Sequence, residues 1–184
     1  TLVRPIRIHL MSHAQNISPP QHTPLAGGVD ALRASELPVA LGNGADEWSP
    51  DLQLPHSMWE IFGSMDDVAG DALALAFAQK HCAAGGDGWR WLWVQDARST
   101  RSSGRPFLHG LPPPLRSGFI HVEAGGAADA LWAMEEGVRC GELSFVIGEI
   151  VGDPKVLDFT AIRRLVLAAE RNGVMLYLLR REGF

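Results

Sequence analysis

A glycine turn followed by acids is the first place where this chain could do chemistry. Residues 59–63 read Trp59-Glu60-Ile61-Phe62-Gly63, a mostly apolar run ending in glycine. The chain continues Ser64-Met65-Asp66-Asp67-Val68-Ala69-Gly70-Asp71 into a helical pattern. A strand, a glycine turn and an amphipathic helix make the frame of a phosphate-binding P-loop, usually G-x-x-x-x-G-K-[ST]. In a working loop the backbone amides cradle phosphates, the lysine neutralises their charge and the hydroxyl holds Mg²⁺. Here Gly70-Asp71-Ala72 stands where Gly-Lys-Thr is needed. An acid in place of a cation turns attraction into repulsion, several kcal/mol at roughly 4 Å and an effective dielectric of about 20. Asp66 and Asp67 add to it, so no ATP or Mg²⁺ cofactor is expected. A plainer reading stays open: a strand-to-helix turn with aspartates at the helix's positive end.

Ligands of open α/β sheets sit beyond the carboxyl ends of the strands, so the other strand ends matter as well. Asp96 follows the next apolar run and could activate a water or be a solvated turn residue. Glu149 closes Phe145-Val146-Ile147-Gly148 as a Walker B acid would, to hold Mg²⁺, although any buried strand can end in an acid. Arg180 and Arg181 end the last run and could sense phosphate, pair with Glu149 or lie on the surface. The expected residues of a degenerate nucleotide pocket are thus Gly63, Gly70, Asp71, Asp96, Glu149 and Arg180. His56, His81, His109 and His121 share no spacing, no Ser/His/Asp set is visible, and no metal motif occurs. Neither catalytic nor metal-binding residues are expected.

The elements that must position these groups follow from hydrophobic periodicity. Apolar runs suited to strands buried on both faces occur at 59–62, 89–95, 119–123, 144–150 and 174–180. Helical spacing appears at 68–83, 127–139 and 160–171, and a short helix is expected at 28–36. Asp158 or Thr160 can cap the last helix, and Asn172-Gly173 can end it. This alternation predicts an α/β fold, a mainly parallel sheet flanked by helices. Residues 1–27 hold Pro5, Pro19, Pro20 and Pro24 without periodicity and are expected to be disordered or loosely ordered, with one α/β domain over 28–184. The last strand lies so near Phe184 that a truncated carboxyl-terminal end is expected.

Residues 96–117 are expected to be a long loop without helical pattern, and loops of that kind are usually functional. Arg98, Arg101, Arg105 and Arg116 lie in it with Ser99, Thr100, Ser102 and Ser103, a set that could contact DNA phosphates. The net charge of -5 over 184 residues means that any such contact must be local. Cys82 and Cys140 lack metal-ligand spacing and read as reduced, buried thiols, which fits a cytoplasmic protein. No apolar run is long enough to span a membrane.

Several segments together resemble a known family. Residues 54–63 (LPHSMWEIFG), 91–97 (WLWVQDA) and 127–149 are similar to core segments of the bacterial recombinase RecA. The runs "ALWAMEEGVRCGELSFVIGEI" and "LDFTAIRRLVLAAERNGVMLYLLR" are most similar to the ImuA family of RecA-like translesion synthesis accessory proteins. The resemblance spans about residues 54–181. It implies a RecA-like P-loop NTPase core in a damage-induced, SOS-regulated protein. It also implies partners: RecA, an ImuB-like inactive polymerase subunit and an error-prone replicative-type DNA polymerase. By the same resemblance, the P-loop lysine and threonine match Asp71 and Ala72, and the Walker B aspartate matches Glu149. The catalytic glutamate falls near Arg98 and the phosphate-sensing glutamine near Arg180. Changes at all these positions imply a retired ATPase. The cell-division inhibitor SulA is a weaker resemblance, and an ATPase with an atypical P-loop is the remaining alternative.

Overall fold

A computed structural model of the chain describes residues 6–9, 58–82 and 88–183. Its centre is a six-stranded, wholly parallel sheet in the order β1-β2-β6-β5-β3-β4. The strands are β1 (Ile6–His9), β2 (Met58–Gly63), β3 (Trp91–Asp96), β4 (Phe119–Ala124), β5 (Phe145–Val151) and β6 (Met175–Arg181). Every residue of β3, β5 and β6 is buried, so their sequences run apolar without polar alternation. The expected α/β class and parallel sheet are present. The strand β1 falls within the 1–27 stretch expected to be loosely ordered. The rest of that stretch, the helix expected at 28–36 and His56 lie outside the described residues.

Side chains of period two divide the core into unlike halves. One face is aromatic: Trp59, Trp91, Trp93, Phe145 and Tyr177 pack against Phe77 and Ala78 of α1 (Ala69–Cys82). Trp91 stacks on Phe145 with centroids 4.9 Å apart, and Trp59 meets Phe77 edge-on at 4.9 Å. The other face is aliphatic: Val94, Val146, Ile150, Leu176 and Leu178 pack against α4 (Ala127–Arg139) and α5 (Phe159–Asn172). Each fully buried side chain of this size contributes roughly 1.5–3 kcal/mol by leaving water. Gly148 of β5 is required here, because a Cβ would lie 2.0 Å from the Met134 sulfur. Asp158 caps α5 by accepting from the Ala161 amide at 2.8 Å, and Gly173 ends it with φ of 66°.

The expected loop at 96–117 is instead the crossover from β3 to β4, and much of it is helical. It forms α2 (Ala97–Ser103), a 3-10 turn (Leu108–Gly110) and α3 (Pro113–Arg116). The Ser/Arg run lacks an apolar stripe, so periodicity misses α2; a cap starts it instead. Two leucines seal the crossover onto the aromatic face: Leu111 and Leu115 are buried, and the Trp91 indole N–H donates to the Leu115 carbonyl at 2.7 Å. Gly118 permits the chain to re-enter the sheet, since a Cβ there would lie 1.6 Å from the Trp89 carbonyl oxygen. Of the cysteines, Cys82 is buried, with burial pushing its thiol up to about 11, whereas Cys140 is exposed rather than buried. Among the described residues no helix is long and apolar enough to cross a membrane.

Candidate functional site

The glycine turn after β2 is joined to β5 through a single guanidinium. β6 lies between β2 and β5, so the turn and the acid at the end of β5 face each other across one strand. The last residue of β6, Arg181, fills that gap and is 3% exposed. Its NH2 group donates to both Asp71 carboxylate oxygens at 2.6 and 2.5 Å. Its Nε donates to Glu149 at 3.3 Å. Its NH1 group donates to the Asp67 carbonyl at 2.5 Å and the Ser64 carbonyl at 3.5 Å. The acid at Asp71, in the first turn of α1, is therefore matched by a cation from the end of β6.

This arrangement has the polarity opposite to a phosphate cradle, in which amide N–H groups converge on an anion. Here loop carbonyls converge on a cation. The loop amides are engaged too: Met65 N–H donates to the Glu182 carboxylate at 2.9 Å, and Ala69 N–H to Asp67 Oδ1 at 2.8 Å. Of the two glycines only Gly70 is closely packed at this turn, and Gly63 has room for a side chain. A Cβ on Gly70 would lie 3.3 Å from Ile61 Cγ2, and one on Gly63 3.9 Å from Arg181 NH1.

Glu149 is 1% exposed and anchors a second layer of polar contacts. It accepts from Gln95 Nε2 at 2.9 Å and from the Ser103 hydroxyl at 2.9 Å. Gln95 Nε2 also donates to the Gly104 carbonyl at 3.0 Å, so its amide oxygen faces His121 Nε2 at 2.9 Å and accepts from it. Burial is the largest influence on Asp71 and raises its carboxyl pKa; Arg181 offsets this only in part, and the charges of Glu149 and Asp67 add to the rise. Burial works to lower the Arg181 pKa, but Asp71 and Glu149 outweigh it and the pKa is raised. Burial, helped by the charge of Arg105, lowers His121. Beside this cluster lies a cleft of about 390 Å³ between α1 and the crossover, lined by Asp71, Glu149, Arg181, Trp93, Phe107 and Leu111 among others.

Asp71, Glu149, Gly63 and Gly70 thus come together, but Asp96 and Arg180 belong elsewhere. Asp96 is buried as the cap of α2: its Oδ1 accepts from the Ser99 amide at 2.7 Å and the Ser99 hydroxyl at 2.8 Å. Both bonds fix the start of α2, and Asp96 is not among the residues that line the cleft. Arg180 points to the opposite face of the sheet. There it donates to Glu60 at 3.1 Å, pairs with Asp153 and lies over the Phe62 ring at 5.4 Å. Adjacent strand residues face opposite ways, so reading Arg180 rather than Arg181 into the pocket is a one-residue error with a full change of side. Arg181 shares its parity with Tyr177 and Leu179, and the register with β5 puts these on the face of Phe145 and Ile147, whose parity Glu149 has.

The four arginines proposed for DNA do not make one patch. Arg105 pairs with Glu123 at 2.6 Å, near the end of β4. Arg116 precedes the start of β4 and donates to the Leu111 and His109 carbonyls at 2.8 and 2.9 Å. Arg98 and Arg101 are exposed on α2. The sequence reading did not place Gln95, Ser103 or His121 in this site: the register β3–β5 pairs Gln95 with Glu149, and side-chain bonds to Glu149 and Gln95 bring in Ser103 and His121.

Neither a protein-family model nor a curated protein sequence matches the chain. Among solved structures, the crystal structure of SulA from Pseudomonas aeruginosa is similar to it at 22% identity, covering 69% of this chain and 99% of that one, with a TM-score of 0.43. A likeness of that size decides nothing about function.

Proposed function

We propose that the chain is a non-catalytic, RecA-like accessory protein of SOS-induced, error-prone translesion synthesis, in which the ATP site has been closed from within. The observation that carries the loss of catalysis is Arg181, held by the Asp67 and Ser64 carbonyls, Asp71 and Glu149 at the strand ends where nucleotide would sit. A phosphate entering there meets carbonyl oxygens and two carboxylates, and its one cation is already taken. The biological setting rests on the resemblance of residues 54–181 to the ImuA family. On this reading the protein acts through contacts with RecA, an ImuB-like inactive polymerase subunit and an error-prone replicative-type DNA polymerase. Any DNA contact falls to Arg98 and Arg101, which are exposed and have no ion pair among the described residues.

The test is retention of purified partners on the immobilised chain. Retention of RecA and the ImuB-like subunit is expected, with no retention of the tubulin-like division protein. Retention of the division protein alone would make the chain a SulA-like inhibitor and remove this reading.

A further inference from the structure

Helices α4 and α5 cover the aliphatic face of the sheet, and a cavity of about 390 Å³ opens between them. Its lining includes Glu135, Arg139, Arg164, Leu167 and Arg171. Glu135 is 6% exposed and both its oxygens are taken. Arg139 donates to Oε1 at 2.6 Å, and Arg164 donates to Oε2 through Nε at 3.1 Å and NH2 at 2.5 Å. One buried carboxylate thus fixes two guanidiniums whose side chains remain 55% and 58% exposed. Arg139 Nε and Arg164 NH1 donate to no group among the described residues. Arg171, two turns beyond Arg164 on α5, is exposed and has no ion pair among the described residues. Glu136 takes the other bond of Arg139, so three guanidiniums meet two carboxylates and one positive charge is left over. On the same helix as Glu135, Trp132 is 65% exposed. It precedes Glu136 by four residues and Arg139 by seven, so the three share one outward stripe of α4. Tryptophan and arginine are the side chains most enriched where protein interfaces bind strongly.

We propose that the groove between α4 and α5 docks a segment of a partner protein that places one Asp or Glu carboxylate among these arginines and lays an apolar side chain on Trp132. The carboxylate accepts from Arg171 and from N–H groups that Glu135 leaves spare, and such charge-assisted bonds are the strong ones. Two of its guanidinium partners are held before it arrives, which lowers the ordering cost of binding. A nucleic acid fits less well. Asp129 and Glu136 are exposed three residues before and four residues after Trp132, where they repel the phosphates of a strand stacked on the indole. The net charge of -5 opposes a polyanion as a whole, whereas a single carboxylate meets the local excess. The groove and the Arg181 cluster lie on different faces of the sheet, so this inference goes beyond the closed nucleotide site and does not rest on it.

The experiment selects peptides against the intact chain from a displayed random library, then titrates them into the parent and three variants. Arg171→Glu and Trp132→Ser alter the groove, and Arg163→Glu reverses a nearby charge on α5 that does not line it. All three positions are exposed, and urea unfolding of each variant checks that the fold is kept. The expected consensus holds Asp or Glu close to an aromatic residue or leucine. Affinity should weaken roughly tenfold or more in Arg171→Glu and in Trp132→Ser, and about twofold or less in Arg163→Glu. A basic consensus, no consensus, or unchanged binding to Arg171→Glu overturns the docking site. Equal weakening by Arg163→Glu would mean long-range charge alone and overturns it as well. Binding of single-stranded oligo-dT that is lost in Arg171→Glu would assign the groove to nucleic acid. Self-association lost in Arg171→Glu, with no peptide selected, would assign it to a second copy; either result overturns the proposal. None of these outcomes bears on ATP binding, so failure here leaves the closed-site reading to its own test.

Discussion

Arg180 and Arg181 are neighbours on one strand, yet they solve different problems on opposite faces of the sheet. Arg180 sits on the α4/α5 side, paired with buried Glu60 and half-exposed Asp153. It lies over Phe62, and its Nε is buried without a partner. Arg181 sits on the α1 side with all its nitrogens engaged, by two carboxylates and two carbonyls from the turn after β2. The first is an ion pair set among apolar groups. The second is a tie between three segments: the turn after β2, the end of β5 and the end of β6. The difference teaches where a buried charge is replaceable and where it organises a site.

The largest expected effect comes from cutting that tie. Arg181→Met leaves Asp71 and Glu149 facing each other unpaired, and unfolding in urea should show a loss of about 3–5 kcal/mol. Arg180→Met should fall at the lower end of that range, about 3 kcal/mol, because Asp153 can rehydrate and only Glu60 is stranded. Equal losses would erase the distinction.

Replacing whole pairs sharpens it further. Glu60→Leu with Arg180→Met removes both charges from an apolar setting and should be within about 1 kcal/mol of the parent, or more stable. Glu149→Leu with Arg181→Met should remain about 2 kcal/mol or more less stable. It strands the Asp71 carboxylate, a Gln95 donor and the turn carbonyls, and buried unpaired polar groups cost about 1–3 kcal/mol each.

The smallest effects are pH slopes. The Asp71 pKa is raised on folding, so the folded chain holds a proton that the unfolded one has released. Stability from this group therefore falls as pH rises from 3.8, the ordinary aspartate value, through the folded value. His121 works oppositely: its pKa is lowered below 6.5, so the unfolded chain takes up the proton first and stability falls on acidification below that pH. Urea midpoints across pH should lose the first slope in Asp71→Asn and the second in His121→Gln. An Asp71→Asn profile parallel to the parent would mean that the carboxylate is not held in a desolvated site.

The five expected strands and the three helices between them were legible because apolar runs and helical stripes write themselves into residue type, but the run at 119–123, expected to be buried on both faces, is the partly exposed edge strand β4, with Ile120 46% exposed. Helix α2 was not, because a capping aspartate and hydroxyl contacts start it rather than an apolar stripe. The acids of the site were visible as departures from a motif. Their cation was not placed, since choosing Arg181 over Arg180 needs the face of β6, and that depends on register with β5 across more than 20 residues of chain. Local sequence shows which groups break a pattern; the sheet decides which of them meet.

The central claim is that Arg181 closes the nucleotide site, and calorimetric titration of the intact chain with ATP and Mg²⁺ tests it most directly. The account predicts no binding heat at micromolar nucleotide and no hydrolysis; micromolar binding, or turnover of ATP, would contradict it.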